Sequence, residues 1–266
     1  MLSNYKQREL KNGKDFLYSK KTDYRIYHYS MLEWLLYGLE GIVLVLLLGY
    51  FFYQSWIWTF FLSPLSILFL KIKKEELGQK RRHLLSVQFK DALNVVNHSL
   101  QAGYSMENAF EEAYKDMVRY YGAESIIAKE LFVIKKGIHN SQSIEELVQN
   151  LGERSGVEEI SDFGNVLIIG KKSGGNLNEI IQTCISVIEE KIETKQEIQM
   201  LISAKKLEAG IMAVIPFFII IYIEVTSKGY FDMLYNTVGG HILMSICLGI
   251  YIAAISISKK IIEIDV

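Results

Sequence analysis

Proline is nearly absent from the chain. Only Pro64 and Pro216 occur, which suits a mostly helical protein, because proline removes a helix donor and crowds the preceding turn. Cysteine is equally scarce. Cys184 sits in a charged helical stretch and Cys247 in an apolar run, so no disulfide framework or metal-ligand spacing is available, and both read as packing residues. His28, His83, His98, His139 and His241 show no metal spacing and no HExxH pattern, and no serine sits in G-x-S-x-G. No catalytic, cofactor or metal site is therefore expected. No stretch of 84–208 alternates convincingly as a strand would. A cleavable signal peptide is not expected either, since the first apolar run follows about thirty polar residues without a small-residue cleavage site.

What the chain has is apolar length. Half of its residues are hydrophobic, and they are concentrated. From Leu32 to Ile72 almost no charge occurs. One helix needs roughly 20 residues to cross the hydrocarbon core, so this stretch suits two spans, at about 32–53 and 56–70, turning at Gln54 and Ser55. Trp34, Tyr50, Tyr53, Trp56 and Trp58 cluster near the expected ends, where aromatic rings favour the interface. Two further runs, GIMAVIPFFIIIYIEV at 210–225 and ILMSICLGIYIAAISI at 242–257, reach span length with their flanks. Pro64 and Pro216 are expected to kink their spans. Glu40 lies about two turns inside the first span. A lone carboxylate there costs about 2–3 kcal/mol, so it should face other helices or be protonated, through a substrate's membrane helix or an interhelical hydrogen bond. Glu224, at a span end, reads as interfacial.

The net charge of −1 hides a pattern. Basic residues gather before the first run (Lys6 to Arg25), after the second (Lys71 to Arg82), at Lys205 and Lys206, and at Lys259 and Lys260. With four spans all these clusters fall on one side, and the positive-inside rule makes that side the cytosol. The expected divisions are a cytosolic segment 1–31, a membrane hairpin 32–72, a cytosolic helical domain 73–208, a second hairpin 209–258 and a cytosolic tail 259–266. Tyr24, Arg25, Tyr27 and Tyr29 are expected on the membrane surface. Nucleic-acid binding is not expected, because the basic residues hug the membrane, where anionic lipid explains them.

The segment 84–208 steps by three and four throughout. Its apolar sets run Leu85, Phe89, Leu93, Val96, Leu100; Met106, Ala109, Phe110, Ala113, Met117; Ile127, Leu131, Ile134, Ile138; Ile144, Leu147, Val148, Leu151; Ile160, Phe163, Leu167; and Leu177, Ile180, Ile181, Cys184, Ile188, Ile192, the last open to continuation towards the third span. Ser105, Ser125 and Ser143 are placed to cap helices, Ser143 with Glu146 as a capping box, and Gly156 to end one. Six helices with short joints make an all-α bundle.

KKSGGNLNEI at 171–180 raises the one question of ligand binding. A Walker loop needs G-x-x-x-x-G-K-[S/T] after a strand; here the lysines precede the glycines. A helix corner fits: Gly174 or Gly175 turns the chain and Asn176 caps the next helix. It matches a first corner at Gly103 and Ser105. The free amides could still hold an anion beside Lys171 and Lys172. In the last helix Glu189, Glu193 and Glu197 form one stripe beside Glu190, either a solvated face or a surface for a basic partner.

QAGYSMENAF at 101–110 and KKSGGNLNEII at 171–181 resemble the two ends of the type II secretion F domain, and the plan of two spans, one such domain and two spans resembles its TadB/TadC branch. The resemblance implies an inner-membrane platform protein of a Tad-type pilus or related secretion pseudopilus. Such a protein would sit between a cytosolic hexameric ATPase and membrane-held pilin subunits, without catalytic residues, paired with itself or a second platform protein. A membrane-anchored sensor, with His83 or His98 as phosphoacceptor, is not expected, because the chain re-enters the membrane instead of leading into a nucleotide-binding domain. A small transporter could use Glu40 and Glu224, but few polar residues occupy the spans.

Overall fold

The computed structural model describes residues 23–25, 29–53, 60, 63–173, 177–227 and 229–262. Among these every regular element is an α-helix: α1 Met31–Tyr53, α2 Pro64–Gln101, α3 Met106–Tyr121, α4 Ile126–His139, α5 Ile144–Ser155, α6 Glu158–Ser173, α7 Leu177–Thr226, the single-turn α8 Asp232–Asn236 and α9 Val238–Ile262. The chain forms two compact units, one of Met1–Tyr27 with Glu76–Thr194, the other of His28–Glu75 with Lys195–Val266.

The first unit is a bundle. Leu85, Phe89, Leu93 and Val96 of α2 meet Phe110 and Met117 of α3, Ile127, Leu131 and Ile134 of α4, Val148 and Leu151 of α5, and Ile160, Phe163 and Leu167 of α6. Phe89 and Phe163 pack edge to face, with ring centroids 6.0 Å apart. From α7 the buried row is Ile181, Ile185, Ile188 and Ile192. Ile180, expected in that row, is instead exposed and Ile185 takes its place, because one helix face is only about a hundred degrees wide and steps of four, three and four hold it best. α5 and α6 lie close where Gly152 faces Ser161; a Cβ at Gly152 would come within 2.9 Å of the Ser161 Cα.

Caps set the joints. Ser105, Ser125 and Ser143 each accept from the amide three residues on, at 3.4 Å. At the end of α2 Gly103 takes φ +86. Its N–H donates to Leu100 O and the Tyr104 N–H to Ser99 O, both at 3.0 Å, which satisfies the last carbonyls as a Schellman turn does.

The second unit contains α1, the start of α2, the latter part of α7, α8 and α9. Among the described residues three helices are long and apolar enough to cross a membrane: α1, α7 and α9. Of the expected second span, residues 56–59 and 61–62, with Trp56 and Trp58, lie outside the described residues, as does the expected turn at Gln54 and Ser55; residues 64–70 open α2. Pro64 does not kink a span there. It is the first residue of α2, where its missing N–H is one that the helix would not have used. Helix α2 then continues without a break through the charged stretch 71–83, helped by the Glu76–Lys80 pair at 2.7 Å. α7 likewise runs 50 residues through Pro216. Tyr251 of α9 donates to the Ala213 carbonyl at 2.7 Å, within the turn that the proline opens. Phe217 packs edge to face on Phe51 (5.3 Å) and Tyr251 (5.6 Å), while Tyr53, expected at the interface, is buried and bonds Ser245 Oγ at 2.8 Å.

Candidate functional site

The residues singled out by sequence fall in different places. At the first corner Gly103 and Ser105 turn α2 into α3 as described above. Gly174, Gly175 and Asn176 lie outside the described residues. Lys171 and Lys172 belong to the last turn of α6, but their side chains lie outside the described part.

The acidic stripe is not uniform. Glu193 pairs with Lys90 of α2 at 3.4 Å and remains largely exposed. Glu189, one turn before, is half-buried, and its Oε1 is buried without a hydrogen-bond partner among the described residues. Burial, with the Glu193 charge second, raises the Glu189 carboxyl above its usual range. Glu190 and Glu197 are exposed. Beside this patch Tyr121 donates to Asp91, and that bond, together with burial, pushes the phenol up to about 12. Part of the repulsion along the stripe is thus met inside the bundle by Lys90.

The sequence reading missed the densest polar cluster. Tyr24, expected on the membrane surface, is 4% exposed and belongs to the bundle core. Its hydroxyl donates to Glu130 Oε1 at 2.6 Å, and its backbone N–H donates to Arg154 O at 2.9 Å. Arg154 grips the same carboxylate from Nη2 at 2.7 Å and from Nη1 at 3.3 Å, and donates from Nε to Asn150 Oδ1 at 2.8 Å. Arg81 stacks on the Tyr24 ring, 4.6 Å from its centroid. Glu130 is only 1% exposed, and a buried carboxylate requires this degree of pairing. Burial first, then the Glu130 charge, raises the Tyr24 phenol far above its usual range. Glu130 and Arg154 read in isolation as ordinary helix charges. Only their convergence with a tyrosine over a hundred residues away in sequence marks them.

In the second unit Tyr29 donates to Leu70 O at 2.7 Å rather than lying free, and Tyr27 falls outside the described residues. Lys73 stands 5.8 Å over the Tyr37 ring. Glu40 lies three residues beyond Tyr37, about one turn further along α1. Glu40 is exposed on α1.

The family model for type II secretion system (T2SS), protein F matches residues 92–224, half of the chain. This chain belongs to the type II secretion system protein F family. Nothing among the curated proteins or the solved structures matches it. Proteins of the F family are non-catalytic inner-membrane platforms in secretion and pilus systems, and work with secretion ATPases and pilins. In this F-family chain the match opens within α2 and closes near the end of α7. Glu130, Arg154, Glu189 and Glu193 lie inside it; Tyr24, Arg81, Lys90 and Glu40 lie outside. The Tyr24 contact therefore joins a residue outside the matched part to two within it.

Proposed function

We propose that the chain is the platform protein of a Tad-type pilus or a related type II secretion-like assembly machine. It would couple a cytosolic hexameric ATPase to insertion of pilin subunits through non-catalytic contacts. The observation that carries this reading is the family match itself, which includes bundle residues and the apolar run around Pro216 in one continuous helix. The charge pattern supports a four-span arrangement in the cytoplasmic membrane with both termini and the bundle in the cytosol. The second span would be supplied by 56–70. Glu189, Glu193 and Glu197, with Lys171 and Lys172, are the proposed contacts to the ATPase or to a second platform protein, and oligomerisation with itself or that partner is part of the reading. Gly174, Gly175 and Asn176 are proposed as a second helix corner. Glu40 is proposed to meet another membrane helix rather than lipid.

In this reading α7 carries motion from the ATPase side towards the membrane. Inserting a flexible glycine-rich break between Ile198 and Lys205 tests it. Filament or pseudopilus assembly should fall to background while the protein still reaches the membrane; normal assembly sinks the coupling role.

A further inference from the structure

A cleft of about 220 Å³ opens between α4 and α5. Val133, Ile134, Leu147 and Leu151 form its apolar walls, Glu130 and Arg154 its floor, and Gln142, Glu146 and Asn150 its polar rim. The charges within it do not balance. The Arg154 guanidinium is already committed to both oxygens of Glu130 and to Asn150. Glu146 donates its backbone N–H to the Ser143 cap, but among the described residues no hydrogen bond or ion pair engages its carboxylate. Nearby lysines are taken elsewhere: Lys129 pairs with Glu124 at 3.0 Å and Lys135 with Glu111 at 2.7 Å. The C-terminal end of α4, whose dipole favours cations, approaches the same rim, and a Cβ at Gly137 would lie 3.0 Å from Gln142 Oε1.

We propose that this cleft is a docking site for a lysine or arginine side chain presented by a partner protein. The aliphatic stem would lie along the Val133–Leu147 walls, and the cationic head would meet Glu146 and the amide oxygens of the rim, the division of labour that long basic side chains use. An anion would find Arg154 already paired with the Glu130 carboxylate and Glu146 repelling it. A neutral apolar group would leave the rim carboxylate desolvated and unpaired. The proposal does not depend on which machine the chain serves, because it concerns the chemistry of the cleft.

The test uses the full chain in detergent micelles and three small probes. n-Butylguanidinium mimics stem and head, n-butylurea is its neutral counterpart, and pentanoate carries the opposite charge. Saturation-transfer NMR should show n-butylguanidinium binding with a Kd of about 1–10 mM, as a ligand of so few atoms permits. n-Butylurea and pentanoate should bind at least about tenfold more weakly. Glu146→Gln should weaken the guanidinium probe. Glu146→Lys, whose own ammonium can fill the cleft, should abolish binding. Glu146 is exposed, so both variants should melt as the parent does. Equal binding of n-butylurea, unchanged affinity in both variants, or no guanidinium binding to the parent would each overturn the proposal.

Discussion

The two units are built from helices of similar look but opposite logic. In the bundle the large apolar side chains point inward and charged pairs such as Lys191–Glu158 (3.1 Å) and Lys115–Glu112 (2.8 Å) lie outside. In the second unit Leu35, Leu36, Leu39, Ile42, Phe218 and Ile250 face outward. Tyrosine shows the same split. The Tyr24 hydroxyl meets a buried carboxylate that an arginine neutralises, whereas Tyr251 and Tyr235 donate to the Ala213 and Phe51 carbonyls, the latter at 2.8 Å. Water expels apolar surface into the bundle, so its interior can be held by area. A helix in lipid gains little by hiding leucine, so close packing and hydroxyl–carbonyl bonds must hold it. The contrast teaches that exposure of an apolar face is a defect in one unit and a requirement in the other.

Removing matched aromatic rings is the hardest blow to that comparison. Phe163→Ala should destabilise the bundle by about 3–5 kcal/mol, because it loses transfer energy and leaves a cavity against Phe89. Phe217→Ala should cost clearly less in a bilayer mimic, since lipid or detergent can replace part of what is lost. Residue-resolved hydrogen exchange in detergent separates the two. Equal losses would mean that both interiors are held alike. Arg154→Met comes next. It leaves Glu130 buried with Tyr24 as its remaining bonded donor and should cost about 3 kcal/mol. The triple variant Arg154→Met, Glu130→Leu, Tyr24→Phe, which leaves no buried hydroxyl without its acceptor, should recover much of that loss, as measured by chemical denaturation, because an apolar cluster of similar volume is often neutral. No recovery would show that the polar cluster stabilises the bundle in its own right.

One atom sharpens the contrast further. Tyr24→Phe removes a charge-assisted hydrogen bond and should cost about 1.5–3 kcal/mol. Tyr251→Phe removes a hydroxyl–carbonyl bond in the apolar unit and should cost about 0.6 kcal/mol. Parallel exchange measurements on the two variants check the order; a reversal would break the comparison.

What could be read in advance follows the range of the interactions. The bundle helices announced themselves because their cores repeat every three or four residues, and the caps at Ser105, Ser125 and Ser143 are local chemistry. Continuity was harder. The charged stretch 71–83 falls outside the apolar sets, yet nothing in it breaks a helix, so α2 runs through it; α7 does the same past Pro216. Tyr24 was misplaced because three neighbouring tyrosines and an arginine look interfacial, and nothing local says that Glu130 and Arg154 wait over a hundred residues away. Glu146 was noticed as a capping residue, but its position on a cleft appears only once α4 and α5 are packed.

The smallest effect concerns Glu189, and its sign is set by the direction of its shift. Its carboxyl is raised by burial and by Glu193, with Asp91 adding to the rise and Lys90 and His98 opposing it. A raised folded-state carboxyl binds its proton more tightly in the native bundle than in the unfolded chain. Its contribution to stability is therefore fully present below the unfolded value of about 4.3 and is lost as pH rises through the raised folded value. Glu189→Gln should flatten the stability profile across that window and be neutral to slightly stabilising near pH 7, an effect that solvent screening keeps small. Melting the parent and the variant from pH 4 to pH 8 reads it directly. A parent that gains stability across the window relative to the variant would mean that Lys90 outweighs burial and Glu193 together. The Glu189–Glu193 end of the stripe would then already be neutralised within the bundle by Lys90.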